Sequence, residues 1–407
     1  MNTHALRRIA IVFPREWGFN RRLERLFAVA EQLDAEIHVI CRNLSNKPRL
    51  EQVQPRVWVH RLPYLGGIRA LSSHGMVLNP VWAWAVRDIC ARYAIDLVIV
   101  REFPLVLAVR GILPRRIPVV MDMAENLVAM ALTEKPRGLA NRLGRLVFAG
   151  PLGRWVERLS CFASDGILVV IEENRDRLVA MGVNPRKIHV FHSVPVPELM
   201  QPRPQTISPS NGTSYELRAA YLGDFDQVRG LPTVVDAAAE LRDRQVRVQF
   251  VLMGAGLSKS ELENRAKQRG VSNDMVMPGH VPFRDGLGFI QACDVGLVPH
   301  FRCEHTDTTI PNKLFDYMYM GKPVIVSDAL PLARIVQTHE CGLVFPSGDA
   351  GKLAEALAYL AANPKARQAM GENGRAAILK DYAWNNTREA LGHFLSSAVE
   401  NGAPSHA

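Results

Sequence analysis

A lysine, an arginine and a carboxylate in the second half of the chain could bind a phosphorylated ligand. Lys313 and Asp316 lie three residues apart in a segment whose apolar residues recur at helical spacing, and Pro311 is typical of a first helical turn. Backbone N–H groups at a helix N-terminus and a nearby lysine can bind a diphosphate, while a carboxylate can bind ribose hydroxyls. Arg229 offers a bidentate donor to phosphate oxygens. This pattern predicts a nucleotide site, and a core helix with a solvated lysine and aspartate is the alternative.

Two groups of residues in the first half could contact a second substrate. Asp122 and Glu125 follow a short apolar segment, where either carboxylate could accept a hydroxyl proton or hold a sugar hydroxyl. Capping of the next helix would explain them equally well. The loop Trp17-Gly18-Phe19 joins the first predicted strand to the first helix, and its rings could stack on a sugar or lipid or pack internally.

Alternating strands and helices must position these residues. Helical patterns include 231–242 and 260–268, the second opened by a capping-box pattern at Ser258 and Glu261. The predicted strands are 9–13, 36–40, 97–100, 119–121, 166–171, 218–222, 248–253, 275–277, 295–298 and 324–326. A Pro/Ser-rich linker at 199–214 separates two such series. We therefore predict an α/β protein with two Rossmann-like parallel-sheet domains facing a central cleft. Gly223 and Gly254 should lie at carboxyl ends of strands, where ligands bind.

Composition restricts the class of protein. The 407 residues are 22% charged and 48% apolar, which is typical of a soluble globular protein with two domains. Six scattered cysteines without a C-x-x-C pair indicate reduced thiols, and the histidines show no metal-ligand spacing. Neither a signal peptide nor a membrane-spanning segment is predicted. We therefore expect a cytoplasmic protein.

The net charge of +9 is concentrated in the first half. The first 200 residues carry 28 Lys and Arg against 18 Asp and Glu, and the remainder carries 21 against 22. This asymmetry suggests an anionic partner, although an arginine-rich composition alone would produce it too.

Residues 137–162 place Leu, Trp and Phe beside arginines, which is typical of a helix on an anionic membrane and of an amphipathic helix packed on its own domain. We predict peripheral attachment to the inner face of the plasma membrane and no nucleic-acid partner, since no nucleic-acid-binding motif occurs.

With these residues in place, the second half resembles the retaining glycosyltransferases of family 4, which have the two-domain GT-B fold. The resemblance covers residues 216–390 well and the first half in outline. Its motifs occur in the family's order: Tyr221-Leu222-Gly223-Asp224-Phe225 with Arg229-Gly230, Val251-Leu252-Met253-Gly254-Ala255-Gly256, Pro278-Gly279-His280-Val281, Ala292-Cys293-Asp294-Val295, residues 311–325 and Cys341-Gly342-Leu343-Val344.

The resemblance implies transfer of a sugar from a nucleotide-diphosphate sugar to a polysaccharide or lipid-linked glycan, with retention of configuration and without metal or cofactor. It implies an acceptor-binding domain at 1–198 and a donor-binding domain at 215–383, with the segment 384–407 crossing back to the first. The donor site would consist of Gly223, Arg229, Gly254, Val281, Thr308, Thr309, Asn312, Lys313 and Asp316. Catalysis would rest on Asp122, Glu125, Arg229 and Lys313, and the acceptor side on Trp17, Gly18 and Phe19.

The chain departs from the family pattern at three positions. Asp316 replaces the second glutamate of the family's E-x7-E motif, and Thr308 stands where the first belongs. Asp224 replaces the first basic residue of the phosphate loop, so diphosphate binding should depend on Arg229, Lys313 and the helix N-terminus. The triplet Asp224-x-Asp226 is interpreted as a loop coincidence rather than a metal site. A sugar-nucleotide epimerase and a non-catalytic sugar-nucleotide-binding scaffold remain alternatives, the latter because Thr308 cannot act as a carboxylate.

Overall fold

A computed structural model of the protein describes residues 6–43, 45–62, 80–133, 149–207 and 214–402. The chain divides into two compact units, Met1–His192 together with Asn385–Ala407, and Ser193–Trp384. Among the helices in the described ranges, none has both the length and the apolar content that crossing a membrane would require.

The first unit is a sheet with helices on its crossovers. Its strands are β1 (Arg8–Glu16), β2 (Glu36–Arg42), β3 (Leu50–Gln54), β4 (Val57–Leu62), β5 (Leu97–Arg101), β6 (Val119–Met123), β7 (Gly166–Val169) and β8 (Ile188–Val190). Its helices are α1 (Arg21–Gln32), α2 (Pro80–Arg92), α3 (Phe103–Ile112), α4 (Leu127–Thr133), α5 (Pro151–Ala163) and α6 (Glu172–Ala180). Within the described residues the strand order is β3-β4-β2-β1-β5-β6-β7-β8, with β3 antiparallel to β4 and the other neighbours parallel.

The second unit repeats this architecture. Its strands are β9 (Leu217–Leu222), β10 (Val248–Met253), β11 (Met275–Gly279), β12 (Val295–Val298), β13 (Val324–Ser327) and β14 (Gly342–Phe345). Its helices are α7 (Leu231–Asp243), α8 (Lys259–Arg269), α9 (Phe283–Gln291), α10 (Glu304–Asp307), α11 (Asn312–Tyr319), α12 (Leu330–Thr338), α13 (Ala350–Ala362) and α14 (Pro364–Lys380). The sheet is parallel, in the order β11-β10-β9-β12-β13-β14.

Both cores are formed by strands covered on two faces. All six residues of β10 are buried, as expected where crossover helices shield both sides of a parallel sheet. The last helix, α15 (Trp384–Gly402), packs on the first unit through Phe394, whose ring stacks on His189 with 5.0 Å between centroids. Gly166 in β7 accommodates the same ring, because a Cβ there would lie 2.9 Å from Phe394.

The ten strands predicted from the sequence are confirmed, and their ends differ from the predicted ones by at most three residues. Four strands were not predicted: β3, which is mostly exposed and polar; β4, which carries His60 and Arg61; and the short β8 and β14. The predicted capping box at Ser258 is wrong, because the Ser258 side chain forms no capping hydrogen bond to α8. Six residues of the predicted linker, 208–213, and residues 137–148 of the predicted membrane segment lie outside the described residues.

Candidate functional site

The second sheet reverses its strand order at β9, which has β10 on one side and β12 on the other. Ligands of open parallel sheets bind beyond the carboxyl ends of the strands at such a switch point. Gly223 directly follows β9, and His300 lies two residues beyond the end of β12. The chain that follows His300 leads through α10 into α11, whose first turn carries Lys313.

Lys313 is a buried cation at this switch point. Its side chain is 8% exposed, and its Nζ lies 3.7 Å from the centroid of the Tyr221 ring. A Cβ at position 223 would lie 2.7 Å from Nζ, so the glycine leaves the space that the ammonium occupies. Within the described part of the chain, this ammonium has the cation–π contact but neither a hydrogen bond nor an ion pair. A buried ammonium without a counter-ion is costly, and an anionic ligand would relieve that cost.

The charges around Lys313 favour an anion. Burial, and then the neighbouring Arg229, hold the pKa of Lys313 well below its usual 10.5, while Asp224 and Asp316 act in the opposite direction. His300 is 1% exposed, and its Nε2 has no hydrogen-bond partner in the described structure. Burial, with Arg229 and Lys313 nearby, holds the pKa of His300 well below 6.5, so the imidazole is neutral. Two cations and an unpartnered imidazole nitrogen therefore meet at the end of β9.

Two tyrosines fix the loop that carries Gly223. The Tyr221 hydroxyl donates to the backbone oxygen of Asp224 at 2.7 Å, and the Leu222 N–H donates to the Tyr317 hydroxyl at 2.9 Å. Both tyrosines are fully buried. They were not predicted as site residues, although Tyr221 lies in the predicted strand 218–222 and Tyr317 directly follows Asp316 in the predicted helix.

The other predicted glycine and Val281 lie at the same edge of the sheet. A Cβ at Gly254 would be 1.8 Å from the backbone oxygen of Gly223, and its φ of +156° also favours glycine. The two loops after β9 and β10 are therefore in direct backbone contact. A Cβ at Gly286 would lie 3.0 Å from Leu222 and 3.6 Å from Val281, so Val281 is placed beside the end of β9.

The start of α11 differs from the prediction. Pro311 is its N-cap, one position before the first helical residue, and the Pro311 side chain forms no capping hydrogen bond. Thr308 instead terminates α10, where its hydroxyl donates to the backbone oxygen of Glu304 at 2.6 Å. Asn312 lies in the first turn of α11, and Asp316 is 1% exposed on the same helix.

The structure places Asp122 inside the first unit. Asp122 is 1% exposed and pairs with Arg22, whose Nη2 lies 2.7 Å from Oδ1. Arg22 also donates to the backbone oxygen of Phe191 at 2.6 Å and lies over the Phe191 ring. This buried network joins α1, β6 and the residue after β8, which favours a structural role for Asp122 over that of a proton acceptor. Capping of α4 is provided by Asn126, whose Oδ1 accepts from the Ala129 N–H at 3.1 Å.

The residues predicted on the acceptor side separate into a packed and an exposed group. Trp17 stacks on Phe27 with 5.7 Å between ring centroids, so its ring packs internally. Phe19 is 62% exposed, and a Cβ at Gly18 would have no atom within 4 Å. Glu125 is partly exposed in the loop between β6 and α4. In the parts of the chain that the structure describes, no three His, Cys, Asp or Glu side chains form a group that could hold a metal ion.

Both halves of the chain match family models. The model of glycosyl transferases group 1 matches residues 206–377, and that of the glycosyl transferase 4-like domain matches residues 18–193. An alpha-D-kanosaminyltransferase of Streptomyces kanamyceticus is 22% identical over 247 residues, which are 60% of this chain and 61% of that protein. The matched part spans less than two thirds of the curated relatives' own length.

Solved structures share the fold over nearly the whole chain. The sucrose-phosphate synthase of Thermosynechococcus elongatus superposes with a TM-score of 0.76 at 18% identity, covering 97% of this chain and 100% of that one. Anabaena HepE in complex with UDP superposes with a TM-score of 0.69 at 14% identity, covering 96% and 100%. The predicted fold class, two parallel-sheet α/β domains of the GT-B type, is confirmed.

Proposed function

We propose that this chain transfers a sugar from a nucleotide-diphosphate sugar to a polysaccharide or lipid-linked glycan. It belongs to the glycosyltransferases, since the group 1 model matches its second half and the glycosyl transferase 4-like model matches its first half. The reaction proceeds with retention of configuration and without a metal, and it serves the synthesis of cell-surface glycans. The observation that carries the proposal is the buried, unpaired ammonium of Lys313 beside Arg229 at the switch point of the second sheet.

The site supplies what departure of a nucleoside diphosphate requires. When the bond between the anomeric carbon and the terminal phosphate oxygen breaks, the oxygen keeps the electron pair and negative charge develops on it. Lys313 and Arg229 provide fixed positive charge for that oxygen, and the N-terminus of α11, which carries Lys313 in its first turn, adds oriented N–H dipoles. Because Lys313 is buried, its charge is screened less than it would be in water.

The acceptor hydroxyl forms the new bond to the anomeric carbon and loses its proton. Asp122 is committed to Arg22, so Glu125 is the better placed of the two predicted carboxylates to hold a sugar or acceptor hydroxyl. In a front-face attack, which the family resemblance implies, the leaving phosphate oxygen can accept the proton. Thr308 gives no carboxylate to the donor sugar, and the hydroxyl of Thr308 already donates within its own turn.

Thermal unfolding in EDTA with UDP, GDP, ADP, TDP and CMP, each with and without its sugar, tests the donor site. A ligand that binds only the folded protein raises the melting temperature, and we expect one nucleoside diphosphate to do so without a metal. Lys313→Met should abolish most of that shift, whereas Lys352→Met, which removes an exposed lysine of the same unit, should preserve it. A wild-type protein that responds to none of these nucleotides would contradict the proposal.

Turnover separates a transferase from a scaffold. We expect a transferase to hydrolyse the stabilising sugar nucleotide slowly, with water in place of the acceptor, and a coupled assay would detect the nucleoside diphosphate released. Binding without release or transfer would favour the scaffold, and isomerisation of the sugar without release would favour the epimerase.

We also propose that the enzyme works as a cytoplasmic protein attached to the inner face of the plasma membrane. The described part of the predicted membrane segment, α5, exposes Leu152, Trp155 and Phe162 at 52%, 58% and 46%. Arg154 and Arg158 lie on the exposed side of the same helix, and the Arg158 guanidinium lies 5.6 Å from the centroid of the Phe162 ring. Apolar side chains beside arginines suit an anionic lipid surface.

A further inference from the structure

The first sheet has a switch point of its own, between β1 and β5. β1 is flanked by β2 on one side and β5 on the other, so its carboxyl end is where a ligand of this unit would bind. The residues at these strand ends are Arg15 in β1 and Arg101 and Glu102 at the end of β5. Asn20, the N-cap of α1, lies beside them. Arg15 and Asn20 flank the predicted acceptor-side loop without being predicted as site residues themselves, and the charged pair at 101–102 was not predicted, although it directly follows a buried strand.

Arg101 forms few of the hydrogen bonds that a guanidinium group can form. Its Nη1 donates to Asn20 Oδ1 at 3.3 Å, and its central carbon lies 5.6 Å from the centroid of the Phe13 ring. A guanidinium has five N–H donors, and this is its single hydrogen bond within the described residues. Burial lowers the pKa of Arg101, and Asp122 is the first of the charges that oppose this effect. Asp122 forms its ion pair with Arg22, and among the described residues Arg101 forms no ion pair of its own.

Two further arginines lie near Glu102, the strained acid that directly follows Arg101. Arg15 is 72% exposed, and its Nη2 lies 3.9 Å from Glu102 Oε1. Arg42, at the end of β2, is electrostatically coupled to both Glu102 and Arg15. Glu102 has a φ of +77°, a conformation that costs a non-glycine residue energy and is found mainly at functional sites.

Glu102 offsets only part of this positive charge. Burial raises the pKa of Glu102, against the influence of Arg15 and Arg101, so its ionised form is disfavoured relative to an exposed glutamate. Glu125 adds negative charge near Glu102. Arg15, Arg42 and Arg101 thus all lie near Glu102, at the switch point of the first sheet where a ligand is expected to bind.

We propose that this edge of the first sheet binds a phosphate or diphosphate group of the acceptor, with Arg101 as the bidentate ligand and Arg15 as the second cation. Guanidinium groups match phosphate oxygens in geometry and charge. On binding, Arg15 exchanges its long contact with Glu102 for the phosphate. The inference rests on the proposed function, which assigns the acceptor to the first unit.

Calorimetric titration of the full chain with inorganic pyrophosphate tests this site. Lys313→Met serves as the background, because it removes one of the two basic residues of the donor site and should weaken pyrophosphate binding in the second unit. We expect this variant to retain one pyrophosphate site and the added Arg101→Gln to weaken it roughly tenfold or more. Adding Arg92→Gln instead, which removes an exposed arginine at the C-terminal end of α2, should leave the affinity for pyrophosphate unchanged. Absence of binding to Lys313→Met, or equal binding after Arg101→Gln, would overturn the inference.

Two further measurements keep the result interpretable. If Arg101→Gln fails to fold, Arg15→Gln on the surface replaces it and should weaken pyrophosphate binding severalfold; unchanged binding would count against the site. Nucleoside-diphosphate stabilisation of Arg101→Gln should equal that of the wild type. If nucleoside diphosphates fail to stabilise even the wild-type protein, that result contradicts the donor site in the second unit and leaves the site at Arg101 untouched.

Competition distinguishes the two sources of such a phosphate. Farnesyl diphosphate represents a lipid-linked acceptor and glucose 1-phosphate a soluble sugar phosphate. Displacement of pyrophosphate by either, lost in Arg101→Gln, supports the site and identifies the source. Failure of both to displace it would mean that the site does not serve an acceptor phosphate.

Discussion

At the scale of single residues, the buried amine of Lys313 lies near the partly exposed guanidinium of Arg229. Like charges and burial both lower the pKa of the lysine, and a diphosphate between them would raise it again. Binding of a nucleoside diphosphate should therefore be accompanied by proton uptake. Affinity should be highest below the pKa of Lys313 in the unliganded protein and should fall as the pH rises through that value towards 10.5.

Titrations with the stabilising nucleoside diphosphate from pH 7 to about 10 measure this dependence. Lys313→Met should weaken binding by about 1.5–3 kcal/mol at neutral pH, the size of a lost hydrogen bond to a charged group, and should flatten the pH profile. A profile equally steep in Lys313→Met would assign the proton to another group.

At the scale of secondary-structure elements, β2 and β4 are joined by a buried histidine pair. His38 Nδ1 and His60 Nε2 are 2.9 Å apart, and the Tyr93 ring lies against both imidazoles. Burial, reinforced by His38 and Arg92, lowers the pKa of His60 from 6.5 to about 4. The unfolded chain therefore binds a proton more readily than the folded one between these values, and the free energy of unfolding should fall as the pH drops from 6.5 towards about 4.

Melting temperatures at pH values on both sides of 6.5 test this prediction. His60→Phe should lose less stability on acidification than the wild type, although it starts lower at neutral pH because His38 loses its partner. His280→Gln, on an exposed histidine, should follow the wild type. An acid-induced loss of equal size in His60→Phe would show that other groups dominate.

At the scale of the whole molecule, both the charge asymmetry and the exposed face of α5 favour binding to an anionic membrane. The first 200 residues carry the excess of basic residues, and α5 adds exposed apolar side chains to it. The protein should float with vesicles containing phosphatidylglycerol and remain at the bottom with phosphatidylcholine alone. Added salt should weaken the association, since part of it is electrostatic.

Replacement of two exposed rings tests the role of α5. Trp155→Ser with Phe162→Ser should reduce flotation several-fold, because each ring contributes buried apolar area. Trp84→Ser provides a matched control, since Trp84 is 68% exposed on α2. Wild-type protein that stays entirely in the bottom fraction with anionic vesicles would contradict the membrane proposal.

The sequence by itself determined the two α/β domains and most of their strands, because apolar runs and helical periodicity are local properties of the chain. It also indicated Lys313, Arg229 and Gly223, since the spacing around a helix start and the glycine after a strand are local signals too. The weakly patterned strands β3 and β8 were missed, because one is largely exposed and the other has three residues.

Only the tertiary structure decided what surrounds each charge. Asp122 pairs with Arg22 across 100 positions of sequence, and Lys313 meets the ring of Tyr221 across 92. Strand order likewise follows from long-range pairing, which places Arg15 beside Arg101 at a switch point. The burial and the counter-ions of a charged side chain determine whether it stabilises the fold or can bind a ligand. Both depend on contacts between segments that are distant in the sequence.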